Sequence, residues 1–350
     1  MGTEVSELGG NASGARTVDT GAPAADLGAA ARLLAGAPDV TLLAHVNPDA
    51  DALGSALAVG LALHRRGAVV RVSFGEPEEV PESLRDLDTA GLLVPPEKVP
   101  AAPPLLVVMD TGSLQRLGQL GDRVAATIAA GGQVLVVDHH TSNTRFGTHH
   151  LIDEHAEATA VLAAQLIDAL RAPLDEPVAR CLYAGLVTDT RSFRNASPST
   201  HLLAARLLSA GVDAEATTRP LLDTHPFAWL SMLSKVLGGA RLEPEAAQGL
   251  GLVHAVVRLS DADGMRSEEV DSVIDVVRTT AEAEVTAVLK ETAPDTWSVS
   301  LRAASRIDVG KAAAALGGGG HRLASGFIAT GRAEDVLTAL RAALDKAPVL

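Results

Sequence analysis

Three short runs in the first 140 residues are apolar at almost every position: VTLLAHV at 40–46, LLVVMD at 105–110 and QVLVVDHH at 133–140. A strand with one wet face alternates apolar and polar residues, whereas a strand that is apolar throughout needs cover on both faces. A fourth run, AVVRVSF, lies between the first two, after a helical pattern over residues 51–66 that ends at Gly67. Further helical patterns follow at 157–171, 176–188 and 199–210. Strands alternating with helices predict the α/β class, here a doubly wound, mostly parallel sheet.

After residue 245 the pattern changes. GLGLVHAVVRL, EVTAVLKET, TWSVSLRA and ASGFIAT predict strands, with helices at 268–280, 308–316 and 333–345. These make a smaller α/β domain with a mixed sheet. A length of 350 residues suits two domains, each able to bury its own core. The expected division is a loose tail at 1–35, a first domain at 36–211, a Pro-bounded helical connector at 212–245 and a second domain at 246–350. Because 47% of residues are hydrophobic but only 2% aromatic, both cores must be built from Ala, Val, Leu and Ile.

A net charge of −14 counts against a broad basic face, which long duplex nucleic acid would require. It is compatible with a short nucleotide in a local pocket. The most apolar helix candidate, DALGSALAVGLALHRR, is too short and interrupted to span a bilayer, so no membrane association is expected. The N-terminal residues lack the basic start and apolar stretch of a secretory signal. The single cysteine, Cys181, reads as a buried thiol and fits a reducing cytoplasm.

In open α/β sheets, ligands bind outside the carboxyl ends of the strands. Strand one ends in HVNPDADALGS, which supplies His45, Asp49 and Asp51. Strand three ends in Asp110, and strand four in Asp138, His139 and His140. A helical or strand-like run ends in LVTDTRSF and supplies Asp189. Taken singly, each has an ordinary explanation: Asp49 or Asp51 as a helix N-cap, Asp110 or Asp189 as a turn or cap residue, the histidines as buried hydrogen-bonding groups. Taken together, they predict one hard oxygen and nitrogen site suited to Mn²⁺ or Mg²⁺. Carboxylates packed so closely repel one another without a cation, and two neighbouring divalent ions relieve that and form a hydrolytic centre.

The second domain contributes GGGGHRLASG at 317–326, where glycines allow close backbone approach to an anion and the adjacent His321 and Arg322 can add charge. Arg302, ending TWSVSLRA, is a candidate phosphate clamp because its planar fork matches phosphate oxygens.

HVNPDADALGS, the aspartate of VVMDTGS, VVDHHTSN and LVTDT resemble the four motifs of the DHH phosphoesterases, and GGGGHRLASG resembles the glycine-rich signature of their C-terminal domain. The resemblance covers residues 37–345 and is nearest to the NrnA-type enzymes of that family. It implies a phosphodiesterase and phosphatase acting on short RNAs, on linear dinucleotides such as pApA, and on 3′-phosphoadenosine 5′-phosphate (pAp). It implies two Mn²⁺ ions, one held by His45, Asp49 and Asp110, the other by Asp51, Asp110, His139 and Asp189. Asp110 would bridge them, and His140 would either support the metal ligands from just outside or act near the leaving group. Arg302, Gly318, Gly319 and His321 would hold the substrate phosphate and terminal nucleotide. Relatives are often dimers, so the resemblance extends to a homodimer. One departure stands out: Arg191 in TDTRSFRN occupies a position where relatives often have glycine, which bears on the substrate path. Manganese pyrophosphatases and RecJ-type exonucleases share the first-domain motifs. The glycine-rich signature argues against the former, and chain length and acidity against the latter. A non-catalytic nucleotide sensor would tolerate loss of the ligand residues, all of which are kept here.

Overall fold

A computed structural model describes residues 24–350. Helix α1 (Ala24–Ala35) precedes strand β1 (Asp39–Leu43), helix α2 (Ala50–Arg65) and strand β2 (Val69–Ser73). Strand β3 (Leu105–Met109), helix α3 (Asp122–Ala129) and strands β4 (Gln133–Asp138) and β5 (His149–Ile152) follow. All five strands are parallel, in the order β2-β1-β3-β4-β5. Helices α4 (Thr159–Ala169), α5 (Glu176–Asp189), α6 (Pro198–Ser209) and α7 (Ala214–Leu222) complete this part.

The strands are apolar throughout because both faces are buried. Val40, Leu42, Val107, Met109, Leu135 and Val137 join a core with α2, α4 and α5. Leu43, Leu106, Val108, Val134 and Val136 face the other way, against Leu117, Leu120 and Val124 from a 3-10 segment and α3. The chain runs outward from β1 to β2 and then crosses back to β3 on the other side of β1. That reversal opens a crevice at the carboxyl ends of β1 and β3.

The second part begins with helix α8 (Phe227–Gly238), strand β6 (Arg241–Glu243), a single turn α9 (Ala246–Gly249) and strand β7 (Leu252–Val257). Helices α10 (Ser267–Asp271) and α11 (Val273–Val277), strands β8 (Val285–Ala293) and β9 (Thr296–Ala303), and helix α12 (Val309–Ala315) follow. Strands β10 (Gly319–His321) and β11 (Ala324–Thr330) and helix α13 (Ala333–Leu344) end the chain. The six strands run β10-β11-β9-β8-β7-β6, with β7 and β8 parallel and the other pairs antiparallel, so the sheet is mixed.

Four details depart from expectation. Residues 24–35 are not loose tail: Ala30 and Leu34 of α1 are buried in the first core, at helical spacing that small alanines obscure in the sequence. The remaining tail residues, 1–23, lie outside the described residues. Segment 212–245 holds helices α7 and α8, as expected of a helical connector, but it does not stand apart from the second domain. Met232 and Val236 of α8 pack with Val253 and Val257, and β6 pairs with β7, so its second half completes the second sheet. The expected helix at 268–280 is broken at Ser272 into α10 and α11. Strand β5 was not anticipated, being four residues long and opening with two partly exposed histidines at the sheet edge. No helix among the described residues is long and apolar enough to cross a membrane.

Candidate metal centre and substrate cleft

The crevice gathers all six residues expected at a metal centre. His45 Nε2 lies 3.6 Å from Asp49 Oδ2 and 3.6 Å from Asp110 Oδ2. His139 Nε2 lies 3.4 Å from Asp110 Oδ1 and 3.2 Å from Asp189 Oδ2. The donor atoms fall into two sets, His45–Asp49–Asp110 and Asp51–His139–Asp189, each within 4.8 Å. Asp110 turns one oxygen toward each set.

Local structure explains the placement. Asp49 is the N-cap of α2: its Oδ1 accepts from the N–H of Asp51 (3.1 Å) and Ala52 (3.0 Å), leaving Oδ2 for the cluster. Asp51 Oδ2 accepts from Thr159 N–H at 2.6 Å and its Oδ1 from Ala160 N–H at 2.8 Å, at the start of α4. Asp51 Oδ1 also accepts from the Ser55 hydroxyl at 3.4 Å, whereas Oδ2 keeps a second lone pair for a cation. Asp110 sits just past β3 at φ 54°, left-handed for a non-glycine residue. Such strain persists where neighbours hold it, and Thr159 does so by donating its hydroxyl to Asp110 Oδ1 at 2.8 Å. Asp189 is the last residue of α5, and α5 crosses close to α2. A Cβ on Gly185 would lie 2.7 Å from Asp51 Oδ1, and one on Gly54 only 2.5 Å from the Cys181 carbonyl oxygen. Cys181 is itself buried, which pushes its thiol up to about 12.

Asp51 and Asp110 are buried, and among the described residues no lysine or arginine lies within ion-pair distance of Asp49, Asp51, Asp110 or Asp189. The histidines carry the compensating charge. Burial opposes protonation of His45, but the Asp110 and Asp49 carboxylates outweigh it and push it up to about 9. Burial also opposes protonation of His139, yet Asp189 and Asp110 push it up to about 11. Burial, with the charges of Asp110 and Asp189, raises Asp51 well above the usual carboxylate range. Asp110 is held well below it: burial works the other way but is outweighed by His45, His140 and His139. Protons here stand where a divalent cation would, and a buried set of carboxylates and imidazoles with no basic side chain fits such a cation.

His140 lies beside this cluster. Its Nδ1 is 2.7 Å from Asp138 Oδ1, and Asn143 donates to the other Asp138 oxygen. The ring stacks on His321 of the second sheet, centroids 4.3 Å apart, and His321 is also 5.1 Å from His139. Burial, together with His140 and His139, pushes His321 down to about 4, so it is neutral near pH 7. A cavity of about 560 Å³ opens here, lined by His139, Asp189, Arg191, Arg302 and His321 among others.

The two glycines expected near the substrate also have structural roles. Gly318 donates its N–H to Ala313 O at 2.8 Å, and a Cβ there would lie 2.1 Å from Gly326 O. It is a packing glycine whose amide is already committed, so it offers no donor to an anion. Gly319 has open space and pairs with Gly326 in the β10–β11 hairpin that presents His321. Sequence reasoning placed Asp138 among the strand-end residues but did not foresee its bond to His140, and it missed Thr159. Thr159 carries no local signal, because its contacts with Asp51 and Asp110 span the fold.

Comparison with known proteins agrees with this geometry. Residues 39–186 match the DHH family, N-terminal domain, and residues 249–347 match the DHHA1 domain. The chain is 30% identical over 320 residues to the bifunctional oligoribonuclease and PAP phosphatase NrnA of Thermus thermophilus, covering 89% of this chain and 92% of the relative. It is 25% identical over 294 residues to the probable bifunctional oligoribonuclease and PAP phosphatase NrnA of Streptococcus mutans, covering 81% and 86%. An exopolyphosphatase-related protein from Bacteroides fragilis shares the fold, with a TM-score of 0.81 at 19% identity over 94% of this chain and 98% of that one. Fold and site thus define a metal-dependent phosphoesterase of two α/β parts. The chain belongs to the DHH phosphoesterase family, and among its relatives are NrnA proteins.

Proposed function

We propose that this chain is a Mn²⁺-dependent hydrolase of short oligoribonucleotides and linear dinucleotides such as pApA, and of pAp to AMP, working in the cytoplasm. The observation that carries the reading is the paired donor set sharing Asp110, placed against a confined cavity that Arg302 and His321 line. The relationship to NrnA proteins along most of the chain supports the substrate class. A cavity of about 560 Å³ is in the range that holds a small molecule.

His45, Asp49 and Asp110 would hold one divalent ion, and Asp51, Asp110, His139 and Asp189 the other. Bound divalent ions supply Lewis acidity at phosphoryl oxygens and activate water at neutral pH; Mg²⁺ shares these ligand preferences. Arg302 binds and orients the substrate phosphate through its guanidinium. His321, neutral and half-buried, offers a ring face and a hydrogen-bonding nitrogen to the terminal nucleotide. His140, fixed by the Asp138 carboxylate, supplies a proton to the leaving oxygen.

Four substrates assayed side by side test this reading: pApA, pAp, pyrophosphate and long single-stranded DNA, each with Mn²⁺ and with Mg²⁺. Rapid turnover of pApA and pAp is expected, faster with Mn²⁺. Preferential cleavage of pyrophosphate would favour a pyrophosphatase, processive cleavage of DNA a RecJ-type exonuclease, and binding without turnover a sensor.

A further inference from the structure

Behind the main cavity lies a smaller one of about 60 Å³, lined by Arg191, Arg278, Thr286 and Arg302 with Glu284 and neighbouring backbone. Arg191 and Arg302 line both cavities. Three arginines therefore line one small cavity of a chain whose net charge is −14. Two acids stand nearby. Asp275 pairs with Arg278 itself at 2.7 Å, which leaves Arg191 and Arg302 as the uncompensated cations of the cavity, and Glu284 Oε1 accepts from the N–H of Ser305 (2.8 Å) and Ile307 (3.2 Å). Among the described residues, neither Arg191 nor Arg302 has a carboxylate within ion-pair distance, and the side chain of Arg302 donates only to the Leu301 carbonyl. Arg191 comes from the first part of the chain, two residues past Asp189, while Arg278 and Arg302 come from the second. The backbone adds an independent sign. Arg191, Ser192 and Phe193 have φ of 51°, 55° and 64°, a left-handed run with no glycine. Glycine adopts that conformation freely, so an arginine there is kept against a conformational cost, as groups at binding sites often are.

We propose that Arg191, with Arg302 and Arg278, forms a subsite for a second phosphate of the substrate, the terminal phosphate that is not cleaved. Guanidinium groups from two directions suit the several oxygens of a phosphate monoester better than the single charge of a diester. Arg191 is thereby a specificity determinant that favours substrates with two phosphates, such as pAp and 5′-phosphorylated dinucleotides. The inference rests on the nucleotide phosphoesterase reading above.

The test compares wild type, Arg191→Gly and Arg191→Lys. Glycine relieves the left-handed backbone, so that variant folds. The first readout is the ratio of kcat/KM for pApA to that for ApA, which differ by one terminal phosphate. Arg191→Gly lowers this ratio about 10- to 100-fold, the scale of one lost charge-assisted contact, and Arg191→Lys lowers it less. The second readout needs no metal: with chelator present, AMP binds wild type more tightly than adenosine, and Arg191→Gly loses that preference. An unchanged ratio in either readout overturns the subsite. Failure of wild type to cleave either dinucleotide would instead count against the functional reading, and the AMP-to-adenosine comparison would still decide the subsite.

Discussion

Asp49 shows how one side chain can cap a helix and serve a cluster at once. Its Oδ1 holds the first turn of α2, and its Oδ2 faces His45. Asparagine caps as well as aspartate but lacks the charge. Asp49→Asn therefore keeps the cap and costs the chelator-treated protein only its attraction to protonated His45, about 1 kcal/mol or less for a half-exposed carboxylate, yet weakens Mn²⁺ binding by more than about 100-fold, beyond the loss typical of an outer partner. Unchanged Mn²⁺ affinity in Asp49→Asn would show that Asp49 only caps. The histidines predict a pH dependence. His45 and His139 titrate near 9 and 11 in the folded, metal-free chain, above the ordinary value of 6.5. A raised folded pKa means stability fully present below about pH 6.5 and lost as pH climbs through the folded value. The unfolding temperature in chelator should fall between pH 7 and 10, and a flat profile would contradict the assignment. The carboxylates and histidines at strand ends were legible in the sequence because the chain must turn there. Thr159, Asp138 as the partner of His140, and Arg278 were not, since their roles depend on contacts from other elements.

At the scale of elements, the site depends on α2 and α5 crossing closely enough to bring Asp51 beside Asp189. Gly54 and Gly185 permit that approach. Gly185→Ala drives a methyl group into Asp51, which predicts a loss of about 1–3 kcal/mol in chemical unfolding. It also predicts weaker Mn²⁺ binding, whereas Gly238→Ala, at a position with open space around it, should leave Mn²⁺ binding unchanged. The long, fully buried strands and most helices were readable from periodicity. The short edge strands β5 and β6 were not, because four and three residues are too few to carry a usable pattern. Helix α1 hid among alanines and glycines for the same reason.

Across the whole molecule, the second part closes the cleft by bringing His321 and Arg302 over the cluster. Arg302→Ala should raise KM for pApA about 10- to 100-fold while Mn²⁺ affinity stays unchanged, separating phosphate binding from the metal centre. The central claim concerns two ions that share Asp110. Calorimetric titration of the metal-free protein with Mn²⁺ tests it most directly. Wild type should take up two equivalents per chain, and Asp110→Ala, still folded by circular dichroism, should lose affinity at both sites together with all hydrolysis of pApA. Two equivalents bound by Asp110→Ala with unchanged affinity, or retained Mn²⁺-dependent hydrolysis, would contradict it.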